Sequence, residues 1–418
     1  MNTIEYTKNK NTNDKKLWIV YITIFSLILL PNIRLNGIPS FRVEQIVIIT
    51  LTLLSTLKIL LGKKVRISNS FFVFSYIGLS FIIIVSIWVG SLKGIKVITN
   101  DFFEIYKIFI YLGVFILTTS SIKTDKDKIK IIKFINFCLF ISTIIAVQQY
   151  FNLFNLNEKY VPFIAPTQYK TLVNNYAYPR VIGMTGNPNE YAVMPGIGGL
   201  LSWSLFIQTK NKRYILCLFC FMLAVLMTLS RTGFVFLVLS LLTYSFFHLF
   251  ENFSKRKVLK VFRILITTSC LLLIGLIAFQ YLPQELTWRF RAGINISMDN
   301  SFQARLSNWN EHINYFRMSP IFGLGPAKSI AYEHAVDNEW LLFLRQYGIA
   351  GCFYIFYIFT IPFLRLKRTY YKHLYFSIAI SSAVYMIPAA IYSSFQLMPL
   401  IMIFAGLVSK ENKNTEFS

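Results

Sequence analysis

Apolar runs of about 20 residues recur from one end of this chain to the other, and a run of that length reads as a helix that crosses a bilayer. Of the 418 residues, 55% are hydrophobic and only 14% are charged. A soluble domain would carry about a quarter charged residues. The sequence therefore reads as an all-α polytopic membrane protein with no separate soluble domain. The expected spans are 17–32, 42–61, 71–90, 102–120, 130–152, 190–208, 213–229, 233–250, 258–282, 339–363, 373–391 and 394–409, about twelve transmembrane helices. The last two also fit a single re-entrant hairpin. Lys15 and Lys16 ahead of a short apolar run suggest a signal peptide, but no small-residue cleavage site follows. That run is read as an uncleaved first helix.

The net charge of +24 raises the question of nucleic acid. The placement of the charge answers it. Lys and Arg cluster at every second connection: Lys63/Lys64/Arg66, Lys123/Lys126/Lys128/Lys130, Lys210/Lys212/Arg213, Lys255/Arg256/Lys257/Lys260 and Arg365/Lys367/Arg368/Lys372. The connections between them, 33–41, 91–101, 153–189, 230–232, 283–338 and 392–393, are poor in lysine. Such alternation is the signature of topology and not of a basic groove. Lysine-rich loops stay in the cytoplasm. The reading is then a cytoplasmic tail at 1–16, a transmembrane domain at 17–409 and a second cytoplasmic tail at 410–418. Both long loops, 153–189 and 283–338, face outward.

The five cysteines, Cys138, Cys217, Cys220, Cys270 and Cys352, all lie in apolar runs. They read as packing residues, the C-x-x-C at 217–220 included. The 153–189 loop is rich in Asn, Tyr and Pro. These residues suit sugar hydroxyls and sugar C–H faces, and they equally make an ordinary exposed, turn-rich loop.

The most polar stretch runs from Arg305 to Tyr347 and leads straight into a span. Arg305 and Trp309, one helical turn apart, suggest an amphipathic helix at the mouth of the bundle. Trp309 also fits an interfacial anchor. His312, beside Glu311, reads as a surface residue, and Arg289 is a weaker phosphate candidate. Asp337 either caps the next helix or takes a proton from a sugar hydroxyl; His334, three residues earlier, fits the same task. Asn338 follows, and Glu339 opens the span. The Gly323–Ser329 run lacks the spacing of a nucleotide loop and reads as a turn. Arg231 sits in a corner too tight to reach far from the membrane. Its fork suits a phosphate, or it snorkels to headgroups. Arg180 closes the first outer loop ahead of Asn187 and Glu190, and Glu190 reads as a cap or as a substrate ligand.

GMTGNPNEYA (183–192), TLSRTGF (228–234), RLSNW (305–309), SPIFGLGP (319–326) and DNEWLLFLRQYGIAG (337–351) together resemble the O-antigen ligase/polymerase family of membrane glycosyltransferases. The resemblance runs over roughly Arg180 to Leu364 and implies a GT-C-like enzyme of the bacterial inner membrane with its active site facing the periplasm. It also implies a glycan donor on undecaprenyl pyrophosphate, with no nucleotide sugar, metal or other cofactor. By that analogy Arg180, Arg231 and Arg305 hold the pyrophosphate, with Asn187, Glu190, Asn338 and Arg289 around the substrate. Ligases of the family place a His directly before the Asn at the start of the helix after the large loop. Here that position is Asp337, which favours a polymerase of lipid-linked repeat units over a ligase acting on lipid A-core. The base stays open between Asp337 and His334. The expected partners are the lipid-linked oligosaccharide, the bilayer and a chain-length regulator, with no nucleic acid. A transporter or flippase of the same lipid is the rival from another class, and Glu104 with Lys107, one turn apart within a span, is the pair such a protein would use.

Overall fold

The computed structural model describes residues 17–35, 38–61, 70–173, 179–250, 300–330, 337–364 and 370–409. The expected span at 258–282 and the candidates Arg289 and His334 lie outside them. The described chain forms helices where the apolar runs fall. They are α1 (Leu17–Leu29), α2 (Val43–Leu60), α3 (Ser70–Leu92), α4 (Phe103–Ser121), α5 (Asp125–Phe151), α6 (Leu156–Ile164) and α7 (Pro166–Val173). After them come α8 (Pro188–Thr209), α9 (Arg213–Met227), α10 (Arg231–Phe250), α11 (Asn300–Met318), α12 (Glu339–Leu364), α13 (Tyr370–Tyr385) and α14 (Leu397–Ser409). A small antiparallel hairpin, β1 (Ile33–Leu35) and β2 (Ile38–Phe41), joins α1 to α2. Six described helices are long and apolar enough to cross a membrane, and α1, α9, α14 and part of α2 are shorter apolar helices. The chain is a multi-pass helical membrane protein.

Helix ends follow local chemistry. α5 begins at Asp125, earlier than the expected 130, because Thr124 and Asp127 cap each other. Asp127 N donates to Thr124 Oγ1 at 3.2 Å, and Thr124 N donates to Asp127 Oδ2 at 3.0 Å. α13 ends at Tyr385, short of the expected 391, and residues 386–396 form an irregular connection instead. Such backbone is tolerated at membrane depth only where protein satisfies it. The expected turn-rich loop at 153–189 holds two short helices, α6 and α7, around a small core of Val161, Ala165, Leu172 and Ile182.

α8 packs on α5, α9 and α10; α10 packs on α13; α14, buried along nearly its whole length, packs between α4 and α13; α12 packs on α3 and α11. The two sets of connections separate. Lysine-poor connections touch one another at one end. Lys328 N donates to Asp101 Oδ1 (2.8 Å), Arg180 Nε to Thr228 O (3.0 Å) and Ser394 Oγ to Glu190 Oε2 (3.2 Å), and the Gln396 side-chain oxygen accepts from Arg42 Nη1 (2.8 Å). At the opposite end, in the lysine-rich set, the Lys128 ammonium lies 4.7 Å above the Tyr371 ring.

Candidate functional site

The lysine-poor end is built on a break in α12. Gly348 has φ +64 and ψ −168, so the helix stops and restarts there. The broken turn leaves carbonyls and N–H groups without helical partners, and the 319–325 turn supplies them. Leu324 N donates to Arg345 O (3.0 Å) and Gly325 N to Gln346 O (2.8 Å), while Ile349 N and Ala350 N donate to Pro320 O and Ile321 O. This close pairing needs glycine at both faces. A Cβ on Gly348 would stand 2.2 Å from Ile321 O, and one on Gly323 would stand 2.4 Å from Gln346 C.

The first half of α12 is held at its start by a carboxylate. Glu339, fully buried, accepts from Ile391 N (2.7 Å), Tyr392 N (2.8 Å), Ser393 N (2.7 Å) and Ser393 Oγ (2.6 Å). Four donors on one carboxylate fix the irregular 386–396 connection to the helix start. The sequence reading missed this role, because the donors come from about fifty residues downstream. Asn338, not Asp337, caps the helix: its Oδ1 accepts from Leu341 N at 3.0 Å. Asp337 is therefore free of the capping duty that the sequence left open, and it pairs with Arg305 Nε at 3.1 Å. That pair is exposed, with side-chain exposures of 29% for Arg305 and 49% for Asp337.

The second group of candidates gathers where α8 begins. Asn187 caps α8 through Oδ1, which accepts from Asn189 N at 2.8 Å. Glu190 is thus not the cap; it turns to Ser394 instead. Arg180 donates through Nη2 to Asn189 Oδ1 (3.0 Å) and through Nε to the carbonyl of Thr228. Val181 N also donates to Met227 O, so Arg180 lies against the corner from which Arg231 emerges. Tyr385 closes the group by donating its hydroxyl to Asn189 O at 2.7 Å.

Other residues depart from expectation. His312 is buried, not a surface residue, because its face of α11 turns onto α12. Its Nδ1 accepts from Arg345 Nη1 at 3.1 Å, since a guanidinium can only donate. Glu104 sits in the first turn of α4, where Lys107 Nζ meets Oε1 at 2.9 Å and Lys328 Nζ approaches to 3.7 Å. Burial lowers the pKa of Lys328 from the ordinary lysine value, and Glu104 opposes the shift. Arg42, which the sequence reading passed over, is buried and paired with Glu44, and it donates to Asn32 Oδ1 (2.9 Å) and the carbonyls of Ser26 (2.8 Å) and Leu30 (3.0 Å). Its signal was an Arg-x-Glu in otherwise apolar surroundings. It closes the C-terminal end of α1.

Residues 215–356 match a family model described as O-antigen ligase. The match covers about a third of the chain. The matched segment runs from α9 to the second half of α12 and contains Arg231, Arg305, Asp337 and Asn338. Arg180, Asn187 and Glu190 lie before its first matched residue, and Arg180 reaches it through Thr228. No curated protein matches the chain.

Proposed function

We propose that the protein is a polysaccharide polymerase that joins oligosaccharide repeats carried on undecaprenyl pyrophosphate, at the outer face of the bacterial inner membrane. The observation that carries this reading is the convergence of the lysine-poor connections. Arg180 lies against the Arg231 corner, and Arg305 meets Asp337 at the start of α12. Arginines on connections otherwise depleted of cationic lysine call for an anion.

In the reaction so proposed, an acceptor hydroxyl attacks the anomeric carbon of the donor sugar. The new C–O bond forms as the bond to the pyrophosphate breaks, and the electron pair leaves with the phosphate. Arg180, Arg231 and Arg305 stabilise the charge that grows there. Asp337 takes the acceptor's proton after its carboxylate leaves Arg305. The chemistry asks for no metal, nucleotide sugar or other cofactor. The Asp in place of the ligase His supports a polymerase over a ligase. The Glu104–Lys107 pair, in the first turn of its helix and tied to the 319–330 turn by Lys328, gives a transporter reading little support.

The purified protein supplied with lipid-linked repeats tests this. Arg231→Ala and Arg305→Ala are expected to slow chain growth about a hundredfold; variants that polymerise like the parent would remove the pyrophosphate role. Gene deletion separates the rival enzymes. Loss of a polymerase leaves single repeats on the final carrier, and loss of a ligase strands long chains on the polyprenyl lipid.

A further inference from the structure

Between the second half of α12 and α13 lies a cavity of about 360 Å³. Trp340 and Ala383 line one end, and Phe356, Phe359 and Phe376 line the rest. Phe356 is 54% exposed, so on a membrane-spanning helix the cavity opens sideways to lipid. The two side chains on its wall that could offer a hydrogen bond are turned away. Trp340 Nε1 donates to Ala383 O at 2.8 Å, and Thr360 Oγ1 donates to Tyr357 O at 2.9 Å. Among the described residues the wall therefore presents hydrocarbon and ring faces, which neither water nor a polar ligand can satisfy.

We infer that this groove holds the polyprenyl chain of the lipid-linked substrate. The inference rests on the proposed glycosyl-transfer reading and names where that substrate's tail runs. The groove is continuous with the candidate site: Met386 lines it, and its carbonyl accepts from Glu339 N at 2.9 Å, two residues beyond Asp337. A chain leaving a pyrophosphate at the start of α12 therefore meets the groove without crossing the bundle. Size agrees as well. An apolar cavity of about 150 Å³ takes one benzene, so this one takes about a dozen carbons, roughly two to three isoprene units. A methyl-branched, unsaturated chain fills a space between aromatic faces. Its methyl branches offer more surface per unit length than a straight acyl chain, and contact energy grows with the surface met.

The test uses the full-length protein in phospholipid nanodiscs and a polyprenyl phosphate bearing a diazirine on its hydrocarbon chain. After irradiation, labels are expected on peptides covering 353–361 and 374–386. Unlabelled polyprenyl phosphate should suppress them, and an equal amount of phosphatidylglycerol should not. Equal suppression by both lipids assigns the groove to bilayer acyl chains and overturns the inference, as do labels confined to other helices. Ala379→Phe and the milder Ala383→Leu, one turn apart on α13, fill the groove. Either is expected to weaken competition by the long-chain lipid about tenfold, the loss of roughly two buried methylenes, and to leave binding of a donor that lacks the hydrocarbon chain unaffected. A filled variant of unchanged elution volume that labels like the parent also overturns it. Labelling does not require turnover. A labelled groove without sugar transfer sinks the proposed reaction and leaves the groove; transfer with an unlabelled groove does the reverse.

Discussion

Arg305 and Glu339 both engage carboxylate chemistry near the start of α12, but in opposite settings. The Arg305–Asp337 pair is solvated on both sides, and exposed pairs of this kind contribute under about 1 kcal/mol. Arg305→Ala and Asp337→Asn should each leave the thermal unfolding midpoint of the purified protein nearly unchanged and lower sugar transfer about a hundredfold. Glu339 is buried among four donors. Glu339→Ala should cost about 3 kcal/mol, because three backbone N–H groups lose their acceptor together; the readout is a lowered midpoint and reduced accumulation in the membrane. Single residues were legible in the sequence where they marked a tight corner between two apolar runs, as Arg231 does. They were illegible where the partner is distant in sequence. Nothing near His312 announces Arg345, and nothing near Glu339 announces the 391–393 backbone.

At the scale of elements, hydrophobic length fixed most helices to within a few residues, because a bilayer sets that length directly. The break in α12 was hidden for the same reason. Tyr-Gly-Ile-Ala-Gly reads as small-residue packing within an apolar run, and only the backbone shows Gly348 at positive φ. Gly348→Ala is expected to destabilise by more than about 3 kcal/mol, since it combines a forbidden backbone region with a collision at Ile321 O. Fluorescence-detected size-exclusion of a tagged variant reads this as loss of the monodisperse peak. Gly94 also has positive φ, but no atom stands within 4 Å of an added Cβ. Gly94→Ala should therefore be tolerated far better, which separates the collision from the dihedral cost.

For the molecule as a whole, the separation of lysine-poor from lysine-rich connections was readable from charge alone, and the packing agrees with it. Which end faces outward is an expectation from the charge rule. An impermeant maleimide checks it. Ser329→Cys, exposed at the lysine-poor end, should label in intact cells, and Lys210→Cys, exposed at the other, should label only after the membrane is opened. The reverse pattern would put the arginines in the cytoplasm and end the polymerase reading. The broken helix has a consequence for how such a chain is made. Pro320 to Gly325 leave the ribosome before Gly348 does, so the splint is already available when the fracture arrives. A circular permutant opened between them would reverse that order, delivering a span with unmet backbone polarity to the insertion machinery.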